Sequence, residues 1–387
     1  MSDNAKVCWD SLPVEIVTQI LLRLPIKPII ISTSVCKTWK SIIQNPTFIP
    51  THLHHSINNN NHNLLLFRLC EDDADIKEIY ALHNDDDNDF TEHTRFDFPL
   101  ETHNYNPIFR VVGTCNGLVC LSDDLCVCTD QFFLWNPCVR KFLKLPYPNV
   151  TFTHGEFDAS IGFGFDPKTN DYKVVRVVCL EIDPNTLKDR PAVEVFTLSS
   201  GEWRMITAAL PPICIVNRFE AQVFVNGAIH WLAFRTTGVG IELDHFVLVF
   251  DLGDEVFREI LLPKLPNPGE CVYNLCAVYG NSIALFQTEF VVSRLLDIWV
   301  MKEYGVVSSW TKVLTVQGPG EVIPRAIGFR RNGKVVLKMD ERKLSSQDIE
   351  TQEKKDLRIT SYIYTFVDSY VESLVLLDKA ANGAVTY

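Results

Sequence analysis

Five tight-turn signatures recur at a nearly constant interval, and they restrict the fold more than any other feature of this chain. Asn116-Gly117 sits in RVVGTCNGLVCLS, Thr169-Asn170 in SIGFGFDPKTNDYKVVRVV and Asn226-Gly227 in AQVFVNGAIHWLAF. Gly280-Asn281 sits in LCAVYGNSIALF and Asn332-Gly333 in AIGFRRNGKVVLKM. Apolar and β-branched residues flank each turn, which is the strongest local signal for a β-hairpin. Successive turns lie roughly 52 to 56 residues apart, the interval of a four-stranded repeat. The second half of each interval also repeats, as strand, polar turn, strand: QFFLWNPCVRKFLKLP, VEVFTLSSGEWRMI, FVLVFDLGDEVFREILLP, LLDIWVMKEYGVVSSWTKVL and SYIYTFVDSYVESLVLL. A shorter first unit, Leu64 to Pro99, fits the plan with one strand missing. About six such units stack into an all-β propeller. The last unit, Arg325 to Leu376, reads as complete. Open blade edges are aggregation hazards, so the terminal AVTY is expected to pair with the first unit and close the ring.

A different periodicity precedes the repeats, in LPVEIVTQILLRLPIKPIIISTSVCKTWKSII. Pro13 suits the first turn of a helix, and Glu15 favours the same end. Ile16, Ile20, Leu21 and Leu24 follow at helical spacing until Pro25 breaks the run. Pro28 starts a second short helix through poor helix formers, Ile29 to Ile31 and Thr33. Val35, Trp39, Ile42 and Ile43 form a third stripe, ended at Asn45-Pro46. Three short helices in roughly 40 residues cannot bury this much apolar surface alone. Val17 and Leu22 fall off the Ile16/Ile20/Leu24 stripe, so at least two faces of the first helix are apolar. One face packs within the unit, and the other needs a partner.

These residues resemble an F-box. LPVEIVTQILLRLPIK followed by VCKTWKSIIQNPTF has the Leu-Pro start, the central Leu-Pro and the Val-Cys-Lys-x-Trp of the last helix. By that resemblance Leu12, Pro13, Ile16, Ile20, Leu24, Pro25, Val35, Cys36, Lys37 and Trp39 map to the adaptor-binding motif, although some of them hold the helices together instead. The resemblance implies docking onto a Skp-family adaptor and, through it, a cullin-RING ubiquitin ligase. One stretch departs from plant F-boxes: KPIIIST places Ile31 and Thr33 where two arginines are usual. The repeats resemble the F-box-associated domain of plant proteins, including S-locus F-box and F-box/kelch-type members. GTCNGLVCLSDD, LWNPCVRKFLKLP, GFGFDPKTNDYKVVRV and VEVFTLSSGEWRMI follow that pattern in order.

The expected organisation is an all-α F-box over residues 1–50, a flexible His/Asn-rich linker over 51–63 and an all-β propeller of about six four-stranded blades over 64–387. The linker reading rests on THLHHSINNNNHN, whose His52, His54, His55 and His62 lack a Cys or carboxylate at ligand spacing.

The net charge of −12 argues against a general binder of nucleic acid or anionic membrane. Twelve acidic residues between Glu71 and Glu101, against Lys77 and Arg95 alone, concentrate that charge. No signal peptide or membrane span is read, so the twelve cysteines are expected as thiols of a cytoplasmic or nuclear protein.

Catalytic signatures fail on inspection. Gly328 to Lys334 starts like a P-loop, but Val335 stands where Mg²⁺ coordination needs Ser or Thr. Cys115, Cys120, Cys126, Cys128 and Cys138 lack paired zinc knuckles and read as small buried hydrophobes. His230 beside Trp231 reads as a core or blade-contact residue. No catalytic residue, metal or cofactor is assigned.

Two functions remain. One is a ligase subunit that recruits an as yet unidentified target protein through propeller loops, with Glu71–Glu92, Glu181–Pro191 and Arg235–Asp244 as the irregular insertions. The other is a β-propeller enzyme or scaffold whose helices only dock; a variant of the first binds the adaptor but recruits no cullin.

Overall fold

A computed structural model describes residues 12–58, 64–72, 77–86, 90–98, 108–124, 130–151, 153, 157–180, 189–217, 222–236, 243–265, 271–278, 281–289, 294–318, 322–339, 342–362, 364–379 and 385–386. Among the described residues four helices come first: α1 (Val14–Leu21), α2 (Ile26–Ser32), α3 (Lys37–Ile43) and α4 (Phe48–Asn58). Pro13 and Pro25 cap α1 and α2 in extended backbone. Pro28 lies in the first turn of α2, where its missing N–H leaves no bond unmade. The Cys36 thiol caps α3, accepting from Trp39 N at 3.5 Å.

The fourth helix corrects the expected linker. Residues 51–58 are helical, and 59–63 lie outside the described residues. Phe48, Ile49, His52 and Leu53 form one buried face at helical spacing. His52 Nε2 lies 3.1 Å from Leu24 O, satisfying a carbonyl at the break between α1 and α2. A composition that reads as polar in sequence therefore conceals about two turns of an amphipathic helix.

Six sheets follow, each built on four strands. The second blade runs Arg110–Cys115, Leu118–Ser122, Phe132–Asn136, Lys141–Lys144 from inside to outside, and the third Asp158–Asp166, Asp171–Cys179, Ala192–Thr197, Glu202–Ile206. The fourth has Val223–Val225, Ala228–Thr236, Leu243–Asp251 and Val256–Leu261, with Ile215–Val216 as an added pair on Ala228–Thr236. Cys271–Val278, Ser282–Glu289, Leu295–Met301 and Trp310–Gln317 make the fifth, and Arg325–Phe329, Val335–Lys338, Lys343–Gln347 and Lys354–Thr360 the sixth. The expected turns sit where the sequence places them, with Asn116, Asn170, Asn226 and Asn281 all at positive φ.

Ring closure differs from expectation. The sixth blade ends at Thr360, not Leu376, and SYIYTFVDSYVESLVLL is not its outer hairpin. Its Phe366–Tyr370 crosses to the first blade as the missing inner strand, pairing Leu64 with Tyr370 and Arg68 with Phe366. Leu64–Asp72, Lys77–Asn84 and Glu92–Asp97 complete that blade. The terminal Val385–Thr386 pairs instead with Phe142 and Lys141 on the outer strand of the second blade. Phe366, Val367 and Tyr370 pack into two interblade cores, which selects this segment over the short tail.

A separate apolar cluster fills the space between each pair of neighbouring blades. Every position of Asp171–Cys179 is buried, because neighbouring blades cover both faces and erase the alternation of a one-sided strand. Gly162 and Gly164 let the third blade approach the fourth: a Cβ on Gly164 would lie 2.4 Å from Phe224.

Candidate functional site

The four helices separate the two apolar sets that sequence could not. Val17, Leu21, Ile26, Ile29 and Ile43 are buried, and they share one apolar cluster with the second and third blades. None of the ten motif residues is buried. Pro13, Ile16, Ile20, Pro25, Val35 and Lys37 are exposed, while Leu12, Leu24, Cys36 and Trp39 are half-buried. Ile16 and Ile20 stand one turn apart on α1, at 49% and 40% exposure. Val14 and Ile31 are further exposed apolar residues that the motif did not include, and Ile31 is the most exposed at 69%. Arg23, Lys27, Lys37 and Lys40 are exposed on the same unit, with Glu15 as its described acidic residue.

The helices occupy one end of the ring. Their cluster takes in Val139 in the turn between the outer two strands of the second blade, and Leu198 in the matching turn of the third. Antiparallel strands alternate direction, so the hairpin turns at 116–117, 137–140 and 198–201 share this end. The strands flanking residues 180–191 and 237–242 end at the opposite side. Two expected recognition segments, Glu181–Pro191 and Arg235–Asp244, thus leave the ring away from the helices; residues 181–188 and 237–242 of them lie outside the described residues.

The acidic insertion Glu71–Glu92 is not one loop. Strand Lys77–Asn84 divides it, so its connections at 73–76 and 85–91 leave at opposite ends. Glu78 is buried in a pair with Arg68, and accepts from Tyr362 Oη at 2.7 Å. Burial pushes the Glu78 carboxyl up, against the opposing pull of Arg68. Asp85 pairs with buried Arg330 of the sixth blade at 2.6 Å. Part of the acidic run thus serves blade packing.

Other buried charges also join neighbouring parts of the ring. Arg176 on the third blade reaches Asp130 beside the second at 2.9 Å and Glu194 at 2.7 Å. Lys173 pairs with Asp166 at 2.8 Å and with Glu255 of the fourth blade at 2.9 Å.

The residues considered for chemistry have structural surroundings. Gly328 to Lys334 is a β-hairpin, with Val335–Lys338 as strand where a P-loop requires a helix. Cys115 and Cys120 are buried thiols and Cys138 is half-buried; burial pushes all three up, away from thiolate. Cys126 and Cys128 lie outside the described residues. His230 is fully buried, with Nδ1 3.1 Å from Val223 O and Nε2 2.7 Å from Tyr304 Oη, and burial lowers it to about 4. Among the described residues, no group of three or more His, Cys, Asp or Glu is placed to hold a metal ion. Among them too, no helix is long and apolar enough to cross a membrane.

Known families match both parts of the chain. The F-box domain matches residues 9–51, and the F-box associated beta propeller domain matches residues 67–382. The F-box protein CPR1 of Arabidopsis thaliana is 27% identical over 399 residues, covering 97% of this chain and 92% of that protein. An F-box/kelch-repeat protein of the same plant is 26% identical over 328 residues, covering 80% of each. A third Arabidopsis F-box protein is 29% identical over 350 residues, covering 84% of this chain and 75% of the relative.

Proposed function

This chain belongs to the F-box-associated β-propeller family, with an F-box ahead of the propeller, and we propose that it is the substrate-recognition subunit of an SCF-type cullin-RING ubiquitin ligase. The observation that carries this reading is the outward Ile16/Ile20 stripe, left exposed while Val17 and Leu21 fill the interior. Solvent-exposed isoleucines at one-turn spacing suit a helical, apolar partner surface, and a Skp-family adaptor supplies one. In this reading the chain makes no bond itself. It brings a target near a charged ubiquitin-conjugating enzyme and raises its effective concentration. Segments at the end of the ring away from the helices are the proposed target contacts, and the cytoplasm or nucleus is the proposed location. The target carries no identity yet beyond a protein that fits those segments.

The test is reconstitution. The purified chain, mixed with a Skp-family adaptor, should co-elute as a one-to-one complex and then capture a cullin-RING module. Separate elution at micromolar concentrations of both would remove the premise. Affinity purification from plant cells with the proteasome blocked then recovers the target.

A further inference from the structure

The segment that follows the closing strand packs back on the second blade and on the helices. Tyr370 Oη donates to Gly117 O at 2.8 Å, anchoring its start on a hairpin turn of the second blade. Gly117 has φ +82°, and a Cβ there would lie 2.3 Å from Ser373 Oγ, so the approach requires glycine. Fully buried Asn136 donates through Nδ2 to Ser373 O at 3.0 Å and to Val375 O at 2.9 Å. Lys141 Nζ donates to Leu377 O at 3.2 Å and Lys379 O at 2.8 Å. Leu374 and Leu376 are buried to 1% exposure. They belong to the cluster that contains Val17, Leu21, Ile26, Ile29 and Ile43 of the helices and Val139 of the second blade. Leu376 adopts φ +74°, a left-handed conformation that a leucine keeps only where its surroundings over-determine it. Val385–Thr386 then returns to the strand that carries Lys141.

We infer that residues 371–379 are a strap that fixes the helical unit on the propeller in one orientation. The strap is held to the second blade by polar bonds along its length, and it shares its apolar side chains with the helices. Ring closure uses Phe366–Tyr370, upstream of the strap, so closing the propeller and seating the helices are separable tasks. The separation between the Ile16/Ile20 stripe and the far end of the ring is then a property of the fold. A tethered reaction is sensitive to that geometry. The inference rests on packing and stands whether or not the partner is a Skp-family adaptor.

The full chain carrying Leu374→Ala and Leu376→Ala tests it, by hydrogen exchange and small-angle scattering. Amides of α1 to α4 should exchange at least tenfold faster, and the radius of gyration should rise, while amides of the six blades keep their protection. Adaptor capture should persist, which separates failure of the strap from failure of the adaptor reading. Unchanged exchange in α1 to α4 together with unchanged scattering overturns the proposal. If the double variant unfolds globally, Lys141→Met decides. It keeps the apolar cluster and removes the bonds to Leu377 O and Lys379 O, and should accelerate exchange in residues 374–379 and in the helices together. Acceleration in the blades as much as in the helices would also overturn it.

Discussion

Replacing the outward and the inward residues of α1 should have opposite consequences. Ile16 and Ile20 retain 49% and 40% exposure, so a partner has about half of each side chain left to cover. Full burial of an isoleucine stabilises by about 1.5–3 kcal/mol, so half-burial of two contributes roughly 1.5–3 kcal/mol together. Ile16→Asp with Ile20→Asp removes that and adds the cost of desolvating two carboxylates. Adaptor affinity should fall by at least about 10- to 150-fold. Stability should change little, within about 0.5 kcal/mol per surface site. Leu21→Ala is the reciprocal change: its side chain is fully buried, and the truncation should cost about 2–5 kcal/mol of helical-unit stability. Titration calorimetry with the adaptor and thermal unfolding followed by circular dichroism read both quantities. Wild-type affinity for the double aspartate variant, with binding lost in a still-folded Leu21→Ala protein, would refute the assignment of the two faces.

Arg176→Met should remove the cation that buried Asp130 and Glu194 share, lowering stability by about 3–5 kcal/mol in a urea titration; adding Asp130→Asn and Glu194→Gln should recover part of that. Burial lowers His83, like His230, to about 4, so the unfolded chain takes up protons first as pH falls from 6.5. Stability from these groups is fully present above 6.5 and is lost toward pH 4. His83 packs edge-on to Phe67 and stacks on Phe90, so His83→Phe should keep pH 7 stability within about 1.5 kcal/mol and flatten the acid loss between pH 6.5 and 4. An unchanged slope would exclude His83 as a contributor.

The propeller was legible because its turns are chemical. Asn at positive φ followed by glycine leaves a mark that survives in sequence, as at Asn116-Gly117 and Asn226-Gly227. The F-box was legible from the spacing of its Leu-Pro pairs and Val-Cys-Lys-x-Trp. Which isoleucines of α1 face outward was not, since Ile16, Val17, Ile20 and Leu21 are equally apolar and only the contacts of Val17 and Leu21 with α2, α3 and the blades separate them. Helix α4 was hidden by the polar look of THLHHS, where His52 is buried with its ring stacked on Phe48 and its Nε2 on Leu24 O. The closing strand was misplaced because Phe366–Tyr370 and Val385–Thr386 have similar strand propensity; their partners, hundreds of residues away in sequence, decide. Glu71–Glu92 read as one irregular insertion because the partners that bury Glu78 and Asp85, Arg68 and Arg330, lie outside it in sequence.

The pairing of Leu64 with Tyr370 also sets an order of events during synthesis. A ribosome adding about 5–20 residues per second makes the first blade's second strand about 15–60 s before its inner neighbour exists. Throughout that interval Leu64–Asp72 presents an unpaired edge, on the first part of the propeller to leave the exit tunnel. Blades two to six have their inner strands made before their outer ones and are free to form in sequence as they emerge. The nascent chain therefore waits as an open arc, and becomes a ring only once Phe366–Tyr370 has emerged. A chaperone that covers strand edges would be needed most at the start of the repeat region, and a premature stop anywhere before Phe366 would leave that edge exposed for the life of the product.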